Sequence, residues 1–270
     1  MRRIKMFFAS AFLAACCHAQ VQNAPAATAH EKDDPGRSAI EKIVREYIWQ
    51  HPEVILESVQ QYQSRLSSAQ KEHGKEAVIA KRAELEQDPS SPVAGSGGGV
   101  TVVEFFDYRC GYCKKAEGTM AKLITDHPEV QFVFKEFPIL GPDSLLAAKA
   151  ALAAHKQGKY LNFHKTLMAL SGPVTMDAIE QSAKNQGLNI EKLKTDMESP
   201  EILGMIERNR QLAQQLSVTA TPTFVVDSEL IQGAMEIPAL EKLIAQAKIH
   251  RGKQGKIESP AAGRGVVGER

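Results

Sequence analysis

Two cysteines set two residues apart, Cys110-Gly111-Tyr112-Cys113, carry the densest chemistry in the chain. Such a pair can bind a metal, close a structural disulfide, or exchange disulfides with another molecule. A four-cysteine zinc site needs a second pair, and the other two of the four cysteines, Cys16 and Cys17, sit in a segment that reads as removable. His127, His155 and His164 form no ligand-like cluster with the pair, so no metal is expected. His155 and His164 read instead as structural residues of helices. A static bridge across so small a loop removes little chain entropy, which makes stability a poor reason for it. Disulfide exchange is the favoured chemistry.

The flanking elements support that reading. "VTVVEFF" (100–106) is a buried strand by composition, and a helix follows the cysteines. Cys110 then falls at or near a helix start, where unpaired N–H groups and the positive end of the dipole favour a thiolate, the nucleophilic form. Arg109, Lys114 and Lys115 add positive charge nearby. Cys113 lies about one turn further on the same face, placed to attack a mixed disulfide formed at Cys110. Cys110 is the expected nucleophile, Cys113 the resolving thiol, and Cys110–Cys113 the redox-active disulfide.

The ends of the chain bear on the compartment. Arg2, Arg3 and Lys5 precede an apolar run, Met6 to Ala15, that is too short to span a bilayer and fits a signal peptide over residues 1–19. Cleavage after Ala19 is preferred; lipid attachment at Cys16, in a lipobox-like Leu-Ala-Ala-Cys, is the alternative. A periplasmic location follows, where disulfides persist. The net charge of +1, with no basic stripe interleaved with aromatics, excludes nucleic acid as a partner. No phosphate-cradling glycine loop follows a strand, so no cofactor is expected.

Residues 20–37 read as a flexible lead, 38–88 as a charged helical segment, and 89–99 as a breaker-rich linker. Residues 100–250 have the composition of one globular domain, and 251–270 read as a disordered tail. Within the domain the order is strand, helix, strand, a helical block, a strand pair at "TFVV" and "ELIQG", and a last helix from about Pro238 to His250. An opening βαβ unit followed by a hairpin gives an α/β fold with a mixed sheet.

That order, with "EFFDYRCGYCKK", "FKEFPILGPDS" and Thr221-Pro222-Thr223, resembles the thioredoxin-like fold of the DsbA family, in its ScsC-like branch. The resemblance covers roughly residues 97–250 and implies a thiol–disulfide oxidoreductase with a helical insertion. It implies that Pro222 is cis and abuts the cysteines, and that Thr221 and Pro222, with Gly111 and Tyr112, contact substrate. Glu104 matches the family's buried acid, which would take the proton of Cys113; strand alternation alone allows it to face solvent instead. Thr221 favours isomerase or reductase relatives over the oxidases, which carry Val there. The implied partners are proteins with thiols or disulfides and a membrane redox partner protein.

"IEKIVREYIWQHPEVILESVQQY" resembles the N-terminal extension of the same branch. Ile55, Val59, Tyr62, Leu66 and Ala69 follow alternating spacings of four and three, and Ile40, Val44 and Tyr47 repeat it upstream. This is the seam of helices that pack on partners, broken at His51-Pro52 into two helices. The segment is expected to make a homo-oligomer, a trimer by the resemblance. The competing functions are a net dithiol oxidase and a non-catalytic thioredoxin-like binding module or chaperone.

Overall fold

The computed structural model describes residues 35–97 and 99–257. The expected signal peptide with Cys16, most of the flexible lead, and residues 258–270 lie outside the described residues. The chain divides into two compact units, Met1–Gln61 and Tyr62–Arg270.

In the first unit, α1 (Pro35–Gln50) and the start of α2 (Glu53–Ala80) are separated at His51-Pro52, as the proline requires. The break is held locally. The His51 ring packs 4.5 Å from that of Tyr47, and its Nδ1 lies 3.0 Å from Glu53 Oε1. Ile40, Val44, Tyr47, Ile55 and Val59 are exposed, and Trp49 is 79% exposed.

The second unit contains the rest of α2, α3 (Arg82–Glu86), β1 (Val93–Ala94), β2 (Thr101–Phe106), α4 (Gly111–Asp126) and β3 (Gln131–Glu136). A helical block follows, α5 (Pro142–His155), α6 (Tyr160–Ala169), α7 (Met176–Asn185), α8 (Ile190–Met197) and α9 (Pro200–Gln215). The hairpin β4 (Thr223–Val226) and β5 (Glu229–Gln232) leads into α10 (Ile237–Ile257). Side-chain caps start three helices of the block, Thr175 for α7, Asn189 for α8 and Ser199 for α9, each accepting a backbone N–H in the first turn. Among the described residues the sheet has five strands, ordered β1-β3-β2-β4-β5. β2 and β3 are parallel, whereas β1, β4 and β5 pair antiparallel with their neighbours, giving the mixed sheet expected.

Both faces of the sheet are covered. Val102, Phe106, Phe132 and Phe134 pack with Met120 and Leu123 of α4 and with the helical block. Val103, Phe105, Val133 and Phe137 pack with Val78, Leu85, Leu212 and Leu216 on the other side. Each such side chain contributes about 1.5–3 kcal/mol of burial, so β2 is fixed from above and below just before the cysteines.

The expected boundaries shift in four places. Val78 and Leu85 are core residues of the second unit, so the 38–88 segment is divided between the two units, and its residues up to Gln61 form the arm. The 89–99 stretch is no simple linker. Val93 and Ala94 pair with Val133 and Phe132, and Phe134 N–H donates to Pro92 O at 2.9 Å. Its breakers serve the turn that follows: Gly95 has φ +80°, and a Cβ there would meet Val130 O at 1.9 Å. α10 continues past His250 to Ile257, with Arg251 bonding Glu86 at 2.8 and 3.1 Å. α1 begins at Pro35, inside the expected lead.

Lys135 of β3 points to the second face and is fully buried. Its ammonium donates to Glu84 O at 2.8 Å and Ser91 Oγ at 2.9 Å, and lies 3.6 Å from Asp88. It anchors the 84–91 segment to the sheet.

Candidate active site

β2 delivers the chain into Asp107, whose buried carboxylate shapes the turn before the cysteines. Oδ1 accepts from Arg109 N–H and Ser144 Oγ–H, both at 2.7 Å; Oδ2 accepts from Ile139 N–H at 2.8 Å and Leu140 N–H at 3.0 Å. Cys110 is the N-cap of α4, and Cys113 N–H donates to its Sγ at 3.4 Å. The sulfur therefore occupies the site where a helix start favours negative charge.

Cys110 is 7% exposed and Cys113 1%. Both are free thiols, so the structure holds the pair in its dithiol form. Burial pushes the Cys113 thiol far above its ordinary range, with smaller contributions from Cys110 and Glu104. Gly111 and Tyr112, between the cysteines, are exposed. The three cations expected to assist Cys110 are engaged elsewhere. Arg109 pairs with Asp143 at 2.5 Å, Lys114 donates to Leu170 O, and Lys115 sits 5.7 Å over the Tyr112 ring. Helix-start N–H groups, not ammonium charge, lie against the sulfur.

The Thr221-Pro222 bond is cis, and the loop reaches the pair: Cys110 Sγ–H donates to Thr221 O at 3.2 Å. Pro222 is buried and its carbonyl accepts from Gly233 N–H at 2.8 Å. Two segments far apart in sequence thus meet at one sulfur.

Glu104 is 3% exposed, because β2 is buried on both faces, and the solvent-facing alternative does not hold. Burial raises its pKa well above the carboxylate range; the charges of Glu117 and Cys110 raise it further. Its raised proton affinity makes it a carboxyl able to take up and return a proton, within electrostatic reach of Cys113.

Sequence patterns leave several neighbours unmarked. Glu117 of α4 lies 3.1 Å from buried His164, which also meets Tyr108 Oη at 2.9 Å. Tyr108 and Tyr160 both reach Glu136. "FDY" before the CxxC and "FKEF" at the end of β3 carry no local sign that Tyr108 and Glu136 bond directly and that Tyr160 and His164 of α6 join them. Among the described residues no group of three or more His, Cys, Asp or Glu can hold a metal ion, and no helix is long and apolar enough to cross a membrane.

Residues 101–245 match the DSBA-like thioredoxin domain, and residues 37–68 match the copper resistance protein ScsC N-terminal domain. A solved thioredoxin-like oxidoreductase from Silicibacter pomeroyi DSS-3 is 43% identical, with a TM-score of 0.60 over 62% of this chain and 98% of that one. Salmonella enterica Typhimurium BcfH is 29% identical, with a TM-score of 0.69 over 79% of this chain and 96% of its own. Among curated proteins, the Na(+)/H(+) antiporter NhaA 3 of Salinispora tropica is 30% identical over 150 residues, 55% of this chain. The chain spans only 23% of that relative's length. The first match takes in everything from the strand before the cysteines to the closing helix, and the chain belongs to the DSBA-like thioredoxin domain family.

Proposed function

We propose that this chain is an exported thiol–disulfide oxidoreductase that acts on protein substrates as a disulfide isomerase or reductase. The observation that carries the reading is the sulfur of Cys110, seated on the start of α4 with the Thr221 carbonyl 3.2 Å away. A substrate sulfur attacked by Cys110 forms a mixed disulfide. Cys113 then attacks Cys110 Sγ, the substrate leaves as a thiolate, and the protons of the two enzyme thiols pass to the two substrate sulfurs. Glu104 serves as the proton acceptor for Cys113, whose burial otherwise keeps it a thiol. Thr221 and Pro222 present backbone to an extended substrate, a form of strand addition, and the exposed Gly111 and Tyr112 lie beneath it.

The exposed apolar residues of α1 and early α2 support self-association through this arm, in a trimer. Linked sites raise the effective concentration of each active site for a misfolded protein already held by another. The same crowding bars the membrane redox partner that would reoxidise the cysteines.

Insulin reduction and refolding of scrambled ribonuclease test the reading together. Because Val78 and Leu85 belong to the catalytic core, the informative truncation stops at Gln61. A chain starting at Tyr62 should be monomeric, reduce insulin, and lose isomerase activity. A full-length chain that is monomeric by light scattering would favour a plain dithiol oxidase. A Cys110→Ala protein with full activity would leave only a binding module.

A further inference from the structure

Glu136 is 1% exposed, and its Oε1 lies 2.9 Å from Tyr108 Oη and 2.8 Å from Tyr160 Oη. Its Oε2 has no hydrogen-bond partner. Tyr108 Oη is 2.9 Å from His164 Nδ1, and His164 Nε2 is 3.1 Å from Glu117 Oε2. The imidazole is boxed by the rings of Phe106, Tyr108, Phe134 and Tyr160, with centroids 4.9, 5.4, 5.1 and 5.5 Å away. An unbroken hydrogen-bonded chain therefore runs from the interior to Glu117, on the helix that carries the cysteines.

The single hydroxyl hydrogen of Tyr108 satisfies one neighbour at a time. Two arrangements follow. In the first, a neutral Glu136 donates to Tyr108, Tyr108 donates to Nδ1, and Nε2–H donates to ionised Glu117. In the second, a neutral Glu117 donates to Nε2, Nδ1–H donates to Tyr108, and Tyr108 donates to ionised Glu136. Passing between them moves three hydrogens by one bond each and carries one proton between Glu136 and Glu117. No heavy atom need move. The first keeps Glu136 neutral, the cheaper form to bury, so the second is populated only when a charge elsewhere drives it.

We propose that Glu136 is a buried proton store for the cysteine pair, connected through Tyr108 and His164 to Glu117 on the helix that carries the cysteines. When a substrate thiolate opens the Cys110–Cys113 disulfide, Cys113 leaves as a thiolate and takes a proton from Glu104. Ionised Glu104 repels ionised Glu117, which draws the stored proton outward and leaves the negative charge on Glu136, between two phenols. Disulfide closure runs the same steps backward: Glu104 accepts the proton of Cys113 and Glu117 returns its own to Glu136. The pair is thus neutralised from inside while a bound protein covers Gly111 and Tyr112. The titratable groups that face Glu136 are Tyr108, Tyr160, Glu104 and Asp107, and those that face His164 are Glu117, Tyr108 and Tyr160.

This rests on the reading of Glu104 as proton partner of Cys113, so the test separates the two. Disulfide opening by glutathione is followed against pH in the full chain and in Glu104→Gln, Tyr108→Phe and Tyr160→Phe. Redox-difference infrared spectra of the unmodified chain, with Glu136→Gln to assign the band, report the carboxylic acid of Glu136. Glu104→Gln should slow opening at every pH by roughly a hundredfold. Tyr108→Phe, which cuts the chain but keeps the ring, should slow it several-fold and shift its pH profile. Tyr160→Phe leaves the chain whole but takes one donor from Glu136, and should slow opening less than Tyr108→Phe does, with a smaller shift of the pH profile. The Glu136 acid band should fall on reduction, a readout that does not depend on whether Tyr108→Phe folds. A band indifferent to redox state, or a Tyr108→Phe profile superimposable on the original, overturns the store. An unslowed Glu104→Gln overturns the role of Glu104 itself.

Discussion

The two units solve opposite problems with their side chains. The N-terminal arm displays Ile40, Tyr47, Trp49, Ile55 and Val59 to solvent. The second unit hides Asp107, Lys135, Glu136 and His164 where water does not reach, each held by hydrogen bonds. Exposed apolar surface is completed by something outside the unit, since burying it is what lowers its free energy. Buried charge must be completed within, by hydrogen bonds already in place. On the proposed reading the arm meets other chains, and the polar core serves the cysteine pair.

The sharpest way to separate them is to remove one sulfur. Cys110→Ala should abolish insulin reduction and leave the assembly unchanged in size by light scattering. Cys113→Ala should instead trap mixed disulfides, visible on non-reducing gels as bands that dithiothreitol removes. A Cys110→Ala protein that changes size would show the two regions to be coupled.

Next in size is the buried lysine. Lys135→Met keeps the volume but leaves Glu84 O, Ser91 and Asp88 without their cation, and should cost about 3 kcal/mol in denaturant unfolding. Arm variants should behave differently. Val44→Glu with Val59→Glu places charge on a surface that is wet in the single chain, so unfolding of the catalytic unit should not change. The same pair should dissociate the assembly in sedimentation experiments. Loss of thermal stability in place of dissociation would erase the contrast.

Glu104 gives a pH dependence of defined sign. Its pKa is raised in the folded protein, so above about 4.5, where an unfolded chain releases the proton, the folded state still holds it. The folded state then binds more protons than the unfolded one, and stability falls as pH rises until the folded group ionises. Each pH unit in that window costs up to about 1.4 kcal/mol. Glu104→Gln should flatten this slope and stabilise the protein at neutral pH, with the advantage shrinking toward pH 4.5 in urea titrations. Smallest of all, Lys248→Ala removes an exposed pair with Glu129, 2.6 Å in length, and should leave the melting temperature unchanged within error.

What was legible in the sequence was local. The β-branched and aromatic run before the CxxC, the helix formers after it, and Thr-Pro before "TFVV" each announce themselves within a few residues. With the resemblance they placed Cys110, Cys113, Glu104 and the cis-proline loop where the structure has them. The rest depends on packing between distant segments. Tyr108 and His164 are 56 residues apart, and His164 in isolation is one more histidine on a helix. β1 spans two residues inside a glycine- and proline-rich stretch, too short for any alternation to show. Nothing in the arm's repeat told where it would stop being an arm, since Val78 and Leu85 acquire their meaning from Val103 and Phe105 across the second face of the sheet.

Lys135 and Glu136 are consecutive residues that leave β3 in opposite directions. One holds Glu84 and Ser91 on one side, and the other meets two phenols on the far side. A slip of β3 by one position against β2 would exchange these faces. The ammonium would then enter the aromatic box and the carboxyl would face the carbonyl of Glu84. Neither could find its partners. An apolar pair at these positions would let the neighbouring phenylalanines and valines pack passably in either alignment. The two buried polar ends thus act as a key cut for one alignment, which is also the alignment that pairs Phe134 with Glu104.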